Sequence, residues 1–305
     1  MAFRPKNANS NSTSFNNEPR NIPTPKAGGR QARISLIVDL GEQNREDFED
    51  DKGNTRPQKP CQQVAVFADL VRDVVDYGGN IGKAPYRILL NKSFAGKVQG
   101  VNFQAVPPKD ADGNIMVGKP WTLHPASLLT KLAKATGNED VIVSQDISEL
   151  LNGKFIADIK ITEKETDKVD DDGNPIVYKY VNFNGASKVA PVFDEDGNEK
   201  EAIVPDLPSP AMCITFDDVK PEQIKFIRGN LLQMIKLANN YAGSQMQKAV
   251  EAYEQSPESF GGYAKSTATE SKSEDKPAAK PKAANKPKPV PQQTEMDDDE
   301  TELPY

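Results

Sequence analysis

Lys83 ends a glycine-rich run, Gly78-Gly79-Asn80-Ile81-Gly82-Lys83-Ala84, that invites a phosphate-binding reading. A P-loop needs a first glycine five residues before the glycine of its Gly-Lys pair, and a Ser or Thr after the lysine to hold magnesium. Tyr77 and Ala84 occupy those two positions, so a nucleoside triphosphatase is not expected. His124 is the sole histidine; nothing near it in sequence resembles a nucleophile, and its place before Pro125 suits a helix entry. Three Asp-Gly-Asn turns, around Gly113, Gly173 and Gly197, suggest calcium loops. With each glycine at loop position 6, however, position 12 falls on Lys119, Lys179 or Ile203 rather than on the bidentate Glu. They read instead as hairpin turns in which glycine takes the positive φ. No catalytic constellation remains, and neither an enzyme nor a cofactor is expected.

A different chemistry is carried by aromatic and basic side chains in alternation. On the strand expected over 176–183, Tyr178 and Tyr180 share one parity with Asn182, while Val177, Val181 and Phe183 share the other. On the partner strand expected over 154–162, Phe155, Ala157, Ile159 and Ile161 suit a core, with Lys160 and Thr162 opposite them. Two tyrosines beside a lysine on an outer sheet face make a platform on which unpaired bases stack. The same residues equally suit ordinary cross-strand tyrosine packing on a half-exposed sheet. Lys179 has the core parity of its strand. A second interleaving, Tyr86, Arg87, Lys92, Phe94, Lys97 and Phe103, lies in a hairpin expected over 86–103, with Phe103 better suited to a core. Trp121, near Lys119, can add to it.

Other elements must position these. Arg33 to Leu40 alternates and is β-branched, hence a strand, followed by an exposed acidic loop over 42–56. Val64, Phe67, Leu70, Val71, Val74 and Val75 fall at helical spacing and predict a helix ended by Tyr77-Gly78-Gly79. Strands are expected over 86–90 and 97–106. Pro125 fits the first turn of a helix closed by Gly137, and a shorter helix follows Asp146 and stops at Gly153. Pro221 opens the longest helical segment, capped by Asp217 or Asp218, with a break at Gly243 and an end near Tyr253. Strands with helices at the edges, lacking regular βαβ alternation, imply a mainly β or α+β fold. A small barrel with helical additions is the expected form.

Composition sets the limits. The chain has 305 residues, 36% of them apolar, with 24 prolines and a net charge of −7. The apolar deficit sits at the two ends, leaving a central segment large enough for one sizeable domain or two small ones. Two cysteines exclude a disulfide scaffold, and no Cys/His spacing suits zinc. With no apolar leader and no stretch approaching 18 apolar residues, a soluble cytoplasmic protein without a membrane segment is expected. The charge is strongly partitioned: the N-terminal 30 residues are basic, and 264–291 carry seven lysines against three acids. Acidity gathers in 42–51, 163–172, 194–201 and the last eleven residues, so a negative total does not exclude a polyanionic partner.

The C-terminus is the most specific feature. Lysines alternate with prolines through Lys280-Pro281-Lys282 and Lys286-Pro287-Lys288-Pro289, a composition that cannot build a core and predicts an extended linker. It leads to Asp297, Asp298, Asp299, Glu300 and Glu302, then Leu303-Pro304-Tyr305. An acidic segment with an apolar-Pro-aromatic tip is suited to docking. The aromatic fills a pocket, the carboxylate meets a base, and the acids steer approach. A body of this kind with a Pro-rich linker and acidic aromatic tip resembles single-stranded DNA-binding proteins, most closely the divergent bacteriophage type. In that family the body is an OB fold, and the tip ends in Phe where this chain has Tyr305.

The resemblance implies four segments: a disordered basic tail over 1–30, an OB-like nucleic-acid-binding body over 31–255, a disordered linker over 256–294, and a partner-docking tip over 295–305. It also implies coating and protection of single-stranded DNA in replication, recombination and repair, with polymerase, helicase or primase recruited through the tip. The residues expected to contact DNA are Tyr178, Tyr180, Lys160, Lys179, Arg87, Lys97, Tyr86 and Lys92. Self-association is left open. The competing expectation is an acidic adaptor that works through protein contacts without binding DNA.

Overall fold

Strand β1, Gly28–Gln43, is the central strand of the main sheet. β2, Cys61–Asp76, runs antiparallel beside it and β3, Lys83–Leu89, beyond β2; β4, Lys154–Val169, lies on the other side, followed by β5, Pro175–Ser187. The ladder order is β5-β4-β1-β2-β3, extended by β6, Met212–Ile214, parallel to β1, and by Val101–Asn102 on β2. This computed structural model describes residues 23–260 apart from 50–51, 78–81, 92, 95–96 and 170–174. Of the expected disordered segments, residues 1–22 and 261–305, including Asp297, Asp298, Asp299, Glu300, Glu302, Leu303, Pro304 and Tyr305, lie outside the described residues, whereas Gly28–Arg30 of the expected tail open β1 and Pro257–Phe260 of the expected linker form a 3-10 turn.

The mainly β, α+β class holds, but the expected barrel does not. β5 and β3 approach across the curl of the sheet, yet among the described residues no ladder joins them, so the sheet stays open. The helix expected over 64–75 is also corrected, because that segment is the middle of β2. Its apolar residues are nearly continuous because both faces are covered. Val64, Val66, Ala68 and Leu70 enter one core, and Ala65 and Phe67 the other.

A bulge at Ser35 turns β1 over. Ala32 and Ile34 face a core completed by α1, Leu128–Thr136, whereas Leu36, Val38 and Leu40 face the opposite core. That second core is closed by α3, Gly229–Lys236, and α4, Gln245–Gln255. A short helix, α2, Val141–Ser144, leads from α1 toward a single 3-10 turn, Ile147–Leu150, opened by Asp146. The result is three layers, with helices on either side of the central strands.

Several boundaries move. α1 begins three residues after Pro125: Ser127 caps it and Gly137 closes it at φ +80°. The carbonyl of His124 accepts from Ser127 N–H and Thr130 Oγ1–H, which fixes the histidine in the expected structural role at the helix entry. Pro221 opens a 3-10 turn, Pro221–Phe226, capped by Lys220 rather than by Asp217 or Asp218, and the segment breaks before α3 as well as at Gly243. The expected strand over 97–106 resolves into two-residue pieces. The acidic loop after β1 holds a small ladder, Phe48–Glu49 against Thr55–Arg56. Asp110 and Asp194 accept from backbone N–H groups of their own turns, with Gly113 and Gly197 at positive φ, as hairpin turns require. The third turn, at Gly173, lies outside the described residues.

Candidate nucleic-acid interface

β4 and β5 pair over a longer stretch than the rest of the sheet supports. β1 covers β4 only from Lys154 to Ile159, and beyond that point the hairpin projects as a two-stranded ribbon. Its register places Tyr180 opposite Thr162, Tyr178 opposite Lys164 and Asn182 opposite Lys160. Directly opposed residues share a face, so both tyrosines, Lys160 and Lys164 point to one side. Tyr178 is 44% exposed and Tyr180 50%, which leaves their rings free to receive a flat partner. Asn182 Nδ2 donates to Thr162 Oγ1 at 3.2 Å and ties the two strands at the base of the platform.

The ribbon face continues onto the sheet. Alternation along β4 carries Lys154 and Asp158 to the side of Lys160, and the ladders then place Lys154, Arg33, Asp69 and Arg87 in one row across four strands. Asp69 is buried; it accepts from Ser35 Oγ at 2.8 Å and from Arg87 Nε and Nη2 at 2.7 and 3.1 Å. Burial disfavours the charge of Arg87, but these bonds outweigh it and raise the pKa of the guanidinium. Arg228, just before α3, stacks 5.3 Å from the centre of the Phe67 ring. The surrounding protein lowers its pKa, with the nearby charge of Arg87 acting the same way. Among the described residues no carboxylate pairs with Arg228. Arg72 lies beside this row, donating to Gln31 Oε1.

The expected contact residues thus separate. Tyr178, Tyr180 and Lys160 come together as anticipated. Lys179 does not join them, because its parity turns it to the reverse of the ribbon, where it pairs with Glu163 at 3.1 Å. Arg87 lies on the extended face but is committed to Asp69. Tyr86 points the other way, half-buried against the first core, and burial raises the pKa of its phenol. Phe103 also packs on that core, as expected, whereas Trp121 stays 57% exposed. Lys97 is in the two-residue strand Lys97–Val98, its side chain outside the described residues, and Lys92 is outside them altogether.

Arg33, Arg72, Lys154 and Arg228 have no signature in the sequence. Only the register of four strands and the entry of α3 bring them to this face. Among the described residues no cluster of His, Cys, Asp and Glu is arranged to hold a metal, and no helix is long and apolar enough to cross a membrane. Compared with known proteins, the chain matches no family model, no curated protein and no solved structure.

Proposed function

We propose that this chain is a non-enzymatic single-stranded DNA-binding protein that coats exposed strands during replication, recombination and repair. The observation that carries the reading is the projecting ribbon, on which Tyr178, Tyr180 and Lys160 share one exposed face. Aromatic rings supply sequence-tolerant stacking, and adjacent cations neutralise phosphates, which makes such binding tight and salt-sensitive. The acidic tip, Asp297 to Tyr305, would recruit a polymerase, helicase or primase by docking its aromatic end.

The adaptor reading draws on a separate observation. Ile115, Met116, Val117 and Trp121 form an exposed apolar loop, with Val117 94% exposed, as a protein-docking surface would. Anisotropy of a labelled oligo-dT separates the two. The expected result is binding that weakens as salt rises, with Tyr178→Ala and Tyr180→Ala each costing about 1–3 kcal/mol, the amount typical of one stacked base. Absence of oligo-dT binding at low salt would remove the DNA reading and leave the adaptor.

A further inference from the structure

The segment 199–206, between β5 and β6, crosses the charged row at its centre. Glu201 pairs with Lys154, and Asp206 meets Arg33 Nη2 at 2.9 Å. Arg33 also donates to the carbonyls of Val204 and Pro205, at 2.9 and 2.8 Å, and Arg72 Nη2 donates to the carbonyl of Ile203 at 3.1 Å. Apolar packing contributes little to this attachment: Val204 is buried, but Ile203 is 82% exposed, and the Asp206 side chain 88%. The strap therefore lies on the sheet mainly through polar contacts to three cations, presenting carboxylates and carbonyl oxygens where a polyanion would present phosphates. Lys154 pulls the carboxyl of Glu201 below its usual range, as an anion-binding position does.

We infer that Arg33, Arg72 and Lys154 form a second phosphate-contact strip for single-stranded DNA, and that the acidic strap occupies it until a strand displaces it. The inference rests on the ribbon reading above. Lys160 and Lys154 stand on the same face of β4, six residues or about 20 Å apart. A strand seated on Tyr178 and Tyr180 and following the sheet inward meets the strap next. Opening exchanges two carboxylates for phosphates on the same three cations, so the strap competes with weak or short ligands and yields to a long strand.

Oligo-dT binding by the full chain across a salt series tests this with two variants that leave Arg33 intact. Arg72→Gln/Lys154→Gln removes two phosphate contacts and is expected to lower the slope of log K against log salt by about 1.4, at roughly 0.7 per contact for a single strand. Glu201→Gln/Asp206→Asn removes the strap's two carboxylates and is expected to tighten binding about two- to thirtyfold, the range open to two surface ion pairs. In the unmodified chain, limited proteolysis within 201–206 is expected to quicken when oligo-dT is added, a readout independent of any substitution. An unchanged slope, an unchanged affinity for the acid-free strap, or unchanged or slower cleavage within 201–206 would each overturn the strip while binding that still depends on Tyr178 and Tyr180 left the ribbon reading standing. No oligo-dT binding by the unmodified chain would remove both.

Discussion

A carboxylate taken out of water is tolerable only when its lone pairs are used, and Asp69 uses them on Ser35 and on both arms of the Arg87 fork. The aspartate lies almost wholly inside, its side chain 6% exposed, while the Arg87 side chain is 37% exposed. The pair is therefore unequal: Asp69 depends on Arg87 more than Arg87 depends on Asp69. Arg87→Met keeps most of the stem packing and strands the carboxylate. It is expected to lower unfolding free energy by about 2–4 kcal/mol, below the figure for a fully buried pair because water reaches one partner. Chemical denaturation of the variant and the parent measures this. A loss under about 1 kcal/mol would mean that Arg87 is free for another partner, as its expected role in DNA contact requires.

Elements show where alternation along one strand is informative and where it stops being so. The tyrosine platform was legible because a period of two assigns Tyr178, Tyr180 and Asn182 to one face whatever the strand pairs with. The helix expected over 64–75 failed for the opposite reason. A strand buried on both faces has no polar residues to mark its period, and from Val64, Phe67, Leu70 and Val71 a helical spacing can always be selected. The row of Lys154, Arg33, Asp69 and Arg87 is illegible in principle, since it needs three ladder registers and the Ser35 bulge. Asn91 is likewise unreadable from its neighbours. Where β3 ends, its buried amide continues the edge of β2, accepting from Val66 N–H and donating to the carbonyls of Val64 and Gln99, each at 2.9 Å. Asn91→Ala orphans two buried backbone groups, on Val64 and Val66, and a third on exposed Gln99, and is expected to cost about 2–4 kcal/mol. A thermal midpoint within a degree of the parent's would show that water replaces the amide.

At the scale of the whole molecule, the three layers bury titratable groups on both sides of the sheet, and this sets how stability responds to alkali. Burial, reinforced by Asp39, Asp146 and Asp218, pushes the Cys213 thiol from 9.0 up to about 11. Burial also raises Cys61, Tyr77, Tyr86, Tyr241 and Tyr253. Each is neutral when protonated, so the folded chain holds protons that the unfolded chain releases, and stability must fall as pH rises across that interval. Acid gives no such common sign, because Asp39 is raised by burial whereas Asp110, Asp194 and Glu201 are lowered by their hydrogen bonds. The midpoint of thermal unfolding is therefore expected to fall as pH rises past 9, where an unfolded thiol is half ionised, and to keep falling through about pH 11. A midpoint that held level to pH 11 would mean that water reaches these thiols and phenols, and that the helical layers cover the sheet less completely than their packing requires.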